Sequence, residues 1–94
     1  MVHDSILIYK EQNYFKVYYD GKAYTLENFI PEQIKYGYNT LAYLNKRNHL
    51  VVFRKGKVKT ISYEQVNAFE VYWDVVWFNV GVNSNKIFYN GRVY

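Results

Sequence analysis

The sequence predicts an all-β chain of repeated four-stranded antiparallel sheets, and three observations carry that prediction. Residue usage favours strands: 21% of the 94 residues are aromatic, twelve of them Tyr, whereas Ala occurs only three times. Landmarks return every 35 residues, as Gly21, Gly56 and Gly91, as Asn13, Asn48 and Asn83, and as Asp4, Asn39 and Asp74. Finally, Asp20-Gly21, Lys55-Gly56 and Asn90-Gly91 supply the residue pairs that suit a two-residue hairpin turn with positive φ at both positions.

Apolar residues keep the same phase: Ile6, Leu41 and Val76; Ile8, Tyr43 and Phe78; Val17, Val52 and Ile87; Tyr18, Phe53 and Phe88; Ala23, Val58 and Val93. The units so defined run over about 4–38, 39–73 and 74–94, a single β-repeat domain over 1–94 whose last unit is incomplete. Each unit reads as four strands. The first (Ile6 to Tyr9, Leu41 to Leu44, Val75 to Phe78) is apolar without alternation, the pattern of a strand buried on both faces, and is expected innermost. A turn ending at Asn13, Asn48 or Asn83, where Asn tolerates a left-handed backbone, leads to the second strand (Tyr14 to Tyr19, His49 to Arg54, Ser84 to Tyr89). The third strand (Lys22 to Leu26, Lys57 to Ile61, Arg92 to Tyr94) alternates polar and apolar and is expected further out, with one wet face. A loop carrying Pro31 precedes the fourth strand, near Gln33 to Tyr38 and Ala68 to Trp73.

Length and composition bound the rest. A chain this short buries only about 60–65% of the surface its unfolded form exposes, so its stability is marginal without a partner. The absence of cysteine excludes disulfides, thiolate metal sites and a cysteine nucleophile, and leaves the compartment open. No apolar stretch approaches the roughly 20 residues of a membrane span. A net charge of +4 leans toward anionic partners without requiring them.

Successive hairpins exclude a parallel solenoid and leave radial arrangements of four-stranded sheets. A β-propeller takes one unit as one blade, and a three-unit β-prism is the alternative. Pro31, Lys35-Tyr36-Gly37, Asn39, Leu41-Ala42-Tyr43, Asn48, Leu50, Val52-Phe53 and Gly56-Lys57 form a pattern that resembles extracellular bacterial β-propeller repeat proteins of largely unassigned function. The resemblance spans the chain and implies a propeller fold, and it points outside the cytoplasm, to a secreted, periplasmic or cell-surface place. The prism of mannose-binding lectins carries Gln-x-Asp-x-Asn-x-Val-x-Tyr in each unit, whereas Leu44 and Lys46 precede Asn48, and Tyr9 and Glu11 precede Asn13. Propellers need at least four blades, so closure is expected from copies of the chain or from more chain.

Few residues suggest chemistry. His3 and His49 fall at different phases of the repeat, which argues against a shared metal site. Asp4, Asn39 and Asp74 are the best placed polar set, although turn stabilisation is the commoner role of such residues. No Ser, His and acid motif and no glycine-rich phosphate loop occurs, and Glu64 and Glu70 lack a sequence-visible carboxylate partner. The expectation is therefore a non-enzyme without catalytic residues, metal or cofactor. Six basic residues and no acid lie between Lys46 and Lys59, with Arg54, Lys55, Lys57 and Lys59 forming a candidate patch for nucleic acid, another polyanion or an anionic glycan. Tyr19 and Tyr89 beside equivalent turns, and Tyr24, Tyr63 and Tyr94 further out, are candidate stacking platforms for a sugar or base. The function expected is a binding or assembly scaffold within a homo-oligomer or larger protein complex. The alternatives are a small lectin-like carbohydrate binder and a polyanion or nucleic-acid binder.

Overall fold

The computed structural model describes residues 6–37 and 39–94. Its eleven described strands are β1 (Leu7–Glu11), β2 (Tyr14–Tyr19), β3 (Lys22–Glu27), β4 (Ile34–Tyr36), β5 (Thr40–Leu44), β6 (Leu50–Arg54), β7 (Lys57–Ser62), β8 (Val66–Tyr72), β9 (Val75–Val80), β10 (Ser84–Tyr89) and β11 (Arg92–Val93). They form three antiparallel sheets in chain order: sheet 1 is β1-β2-β3, sheet 2 is β4-β5-β6-β7 and sheet 3 is β8-β9-β10-β11.

The hairpin turns form where the sequence places them. Asp20 and Gly21, Lys55 and Gly56, and Asn90 and Gly91 all have φ between 51° and 82°, the paired left-handed conformation of a type I′ turn. A β-bulge recurs at one position of two sheets, where Leu26 and Ile61 are the extra residues opposite β2 and β6.

Sheet 2 shows why its strands read as unbroken apolar runs. Leu41, Tyr43, Val51 and Phe53 point one way and pack with Phe15 and Val17 of sheet 1. Ala42, Leu50 and Val52 point the other way and pack with Val66, Phe69, Val76, Phe78, Val80 and Phe88 of sheet 3. Both faces of sheet 2 are thus covered by neighbouring sheets, which sets aside the prism, in which each sheet turns one face to a shared axis. Sheets 2 and 3 converge where β8 approaches β4 and β5, and no comparable approach joins β7 to β11. They stack face to face as wedges about an inner edge, the propeller arrangement.

Strand membership corrects the sequence reading. The fourth strand of each 35-residue unit pairs with the first strand of the next unit, as β4 with β5 and β8 with β9. It is the inner edge strand of the following sheet, and the strand expected innermost is second from that edge. The shortfall consequently moves: sheet 3 has four strands, and sheet 1 has three among the described residues. A connection of a few residues lets a strand cross to the next sheet as easily as it closes its own, so periodicity alone leaves the cut undetermined.

Register in the first unit is also corrected. Val17, Val52 and Ile87 pair with Ile8, Ala42 and Trp77, so the structural equivalents of Leu41 and Val76 is Leu7 rather than Ile6. The cause is turn length. Two residues join Glu11 to Tyr14, and the left-handed residue there is Gln12 instead of Asn13, whereas Asn48 and Asn83 do take positive φ. A one-residue slip exchanges the faces of a strand, and it turns Ile6 and Ile8 toward sheet 2.

Gly37, just after β4, lies against the β8–β9 turn. A Cβ there would collide with the Trp73 backbone, whose nitrogen would lie 3.0 Å away. His3, Asp4 and Tyr38 lie outside the described residues.

Candidate functional site

The sequence-predicted residues Tyr19, Tyr24, Arg54 and Lys59 all join one sheet to the next. Tyr19 and Tyr24 meet the Phe53 ring edge-on, with centroids 6.0 Å and 5.0 Å away. Tyr24 also reaches over the outer turn of sheet 2, its hydroxyl 2.8 Å from where a Cβ on Gly56 would stand. One repeat later the same positions are Arg54 and Lys59. Lys59 Nζ lies 5.7 Å from the Phe88 ring centroid and donates a 3.1 Å hydrogen bond to the Gly91 carbonyl. Tyr24 and Lys59 are therefore one structural position, pairing with Val17 and Val52 in their own sheets and spanning to the outer turn of the next. A long side chain with a polar tip suits it in either chemistry.

Polar contacts reinforce both joints. At the first, the buried Tyr43 hydroxyl donates to Glu27 Oε2 at 2.7 Å, and burial, helped by that carboxylate, pushes its pKa well above the usual tyrosine range. At the second, Lys35 and Glu70 pair at 3.0 Å across the inner edge, and Arg54 meets Asp74 at 3.4 Å. Arg54 Nε is buried without a hydrogen-bond partner. Of the polar ring considered from sequence, Asn39 is buried beside Thr40, whose hydroxyl donates to it at 3.1 Å, and Asp74 belongs to the Arg54 pair. Among the described residues no cluster of three His, Asp or Glu side chains is arranged to hold a metal ion.

The basic segment divides. Lys46 and Arg47 lie in the β5–β6 turn, with Lys46 5.0 Å from the Phe29 ring centroid, whereas Lys55 and Lys57 flank the turn at the far end of β6. A five-residue strand separates the two ends by about 17 Å, so the six residues form no single patch. Lys55 and Lys57 are exposed, and Tyr63 stacks edge-on against His49 at 5.0 Å. Tyr89 and Tyr94 lie exposed on the face of sheet 3 that points away from sheet 2.

Among the described residues two concavities stand out, and of the predicted basic and aromatic residues only Lys46 lines one. One of about 320 Å³ sits by the β5–β6 turn, between Phe29, Glu32, Asn45, Lys46 and Asn48. The other, of about 380 Å³, is an apolar notch of Ile6, Leu7, Ile8, Ile34 and Tyr36 at the edge of β1 that pairs with no described strand. Sequence reasoning passed over Trp77 and Ile87, which share the outward face with Tyr89, and Leu7 and Tyr18 on the outward face of sheet 1. Their signal is available in the sequence: each belongs to a 35-residue series with a strand-core member, Val17 and Val52 for Ile87, Phe53 and Phe88 for Tyr18, and Ala42 for Leu7 and Trp77.

Wedge-stacked four-stranded sheets with interdigitating faces define a β-propeller protein. The family model of the 10-bladed beta propeller domain matches residues 1–94, and the chain belongs to that family. Comparisons with curated proteins and with solved structures return no match. Among the described residues no helix is long and apolar enough to cross a membrane.

Proposed function

We propose that the chain is a non-enzymatic propeller scaffold for binding or assembly, acting within a homo-oligomer or a larger protein complex. The observation that carries this reading is the exposure of large apolar side chains on the two end sheets. Leu7, Tyr14 and Tyr18 are exposed in sheet 1, and Tyr72, Ile87, Tyr89 and Tyr94 in sheet 3. Contiguous exposed apolar surface of this kind marks interaction sites, and open sheet edges add to it. The inter-sheet duties of Tyr24, Arg54 and Lys59 also favour a scaffold over a polyanion binder, because those side chains are already engaged. The test is the mass of the chain in solution, by sedimentation velocity from micromolar to sub-millimolar concentration. An assembly above the monomer is expected; a monomer that engages neither protein nor ligand overturns the reading.

A carbohydrate-binding role is the second reading, favoured by the grouping of Tyr72, Trp77, Tyr89 and Tyr94 on one sheet face. Flat rings of this kind stack on sugar faces. Saturable glycan-array binding that disappears in Tyr89→Ala would support it, and steeply salt-dependent binding to polyanions would point instead to the basic turns.

A further inference from the structure

Equivalent positions of the three sheets are covered or bare according to which neighbour they have. On the face pointing to the following sheet, Val17 and Val52 are 0% and 1% exposed, and their counterpart Ile87 is 42% exposed. On the opposite face, Leu41 and Val76 are both 0% exposed, and Leu7 is 62% exposed. Phe53 and Phe88 are 0% and 4% exposed, whereas Tyr18 is 46% exposed. Sheet 3 therefore carries the bare version of a face that sheets 1 and 2 use to hold their successor, and sheet 1 carries the bare version of the face that receives it.

The spanning position follows the same rule. Tyr94, joined to Ile87 by reciprocal backbone hydrogen bonds of 3.1 and 2.7 Å, is the third member of the series Tyr24 and Lys59. Tyr24 covers Gly56 and Lys59 binds the Gly91 carbonyl, while a Cβ placed on Gly21 or on Gly91 would meet nothing within 4 Å among the described residues. Tyr94 has the same reach, and among the described residues no spanning side chain covers the turn at Gly21.

We propose that the leading face of sheet 3 binds the trailing face of sheet 1 in a second copy of this chain, head to tail, by the operation that already relates sheet 1 to sheet 2 and sheet 2 to sheet 3. Tyr94 then lies over the partner copy's outer turn, as Tyr24 lies over Gly56, and Tyr89 and Tyr94 meet the ring of the copy's residue at position 18, as Tyr19 and Tyr24 meet Phe53. The contact is heterologous, because different surfaces of the two copies meet. Whole copies of a three-sheet chain do not sum to ten, so the contact defines a joint rather than a copy number. This inference rests on the assembly role and names its partner.

Complementary variants test it. Ile87→Lys blocks the leading face and Leu7→Lys the trailing face, both at exposed positions. Each variant alone is expected to sediment as a monomer, because every joint needs one face of each kind. An equimolar mixture regains a single joint and is expected to form a dimer and nothing larger. A second variant, Tyr94→Ala at the chain end, is expected to weaken association at least about tenfold while leaving unchanged the urea midpoint read at a dilution where both chains are monomeric. A wild type that remains monomeric overturns both the joint and the assembly role. A wild type that assembles, with a mixture that stays monomeric or a Leu7→Lys variant that still associates like the wild type, overturns the joint alone.

Discussion

The two joints within the chain use the same repeat positions and differ in chemistry. Between sheets 1 and 2 the outer contacts are aromatic: Tyr19 and Tyr24 edge against Phe53, and Phe15 meets Tyr43 at 5.2 Å. Between sheets 2 and 3 the same outer positions hold Arg54 and Lys59, and the joint adds the Lys35 and Glu70 pair to a core of Val, Leu and Phe. A wedge-stacked joint thus asks for a long side chain that buries its stem and keeps a polar tip, and tyrosine, arginine and lysine all qualify. The aromatic joint depends on shape, and the ionic one adds sensitivity to salt.

The largest effect that would break this contrast comes from Phe53→Ala. Phe53 is fully buried and takes both tyrosines, so truncation is expected to cost about 3–5 kcal/mol, enough to unfold much of the chain, as read by urea denaturation. A loss no larger than that from Phe88→Ala would show that the two tyrosines add nothing to the hold on Phe53.

Asp74→Ala tests the ionic joint. It leaves the mostly buried Arg54 guanidinium without its carboxylate and is expected to cost about 1–2 kcal/mol, after allowance for partial solvent access. The loss should shrink as salt is raised, and a salt-independent loss would mean that Asp74 acts through its turn instead.

Alkaline pH should weaken the aromatic joint. The folded pKa of Tyr43 is raised above the ordinary value of 10.0, so its contribution is complete below that pH and is lost as the pH climbs from there toward the folded value. Tyr43→Phe is expected to cost about 1 kcal/mol at neutral pH and to flatten the fall in urea midpoint above about pH 10. An unchanged alkaline slope would assign that fall to other groups.

The smallest expected effect is the sharpest for the comparison. Lys59→Tyr rebuilds the Tyr24 arrangement over Gly91 and Phe88, and should shift stability by no more than about 0.5 kcal/mol. A large loss would show that the two joints are not interchangeable at that position.

The sequence by itself determined the strands, the I′ turns and the repeat. Each is local: Asp-Gly and Asn-Gly set the turn through backbone φ, and unbroken apolar runs such as Leu41 to Leu44 declare burial on two faces. It also held the spanning series Tyr24, Lys59 and Tyr94, since 35-residue spacing alone aligns them. Only the tertiary structure decided which sheet each fourth strand joins, because pairing β4 with β5 or with β3 demands the same local residues. It likewise decided the register of β1, where a two-residue turn at Gln12 and Asn13 replaces longer ones and turns Ile6 and Ile8 inward. The six-residue basic segment divided for the same reason, with Arg54, Lys55, Lys57 and Lys59 left together at the outer turn of sheet 2. Lys46 and Lys57 are near in sequence, but an extended strand carries them to opposite ends of a sheet, and the distance between charges is set by where the backbone runs.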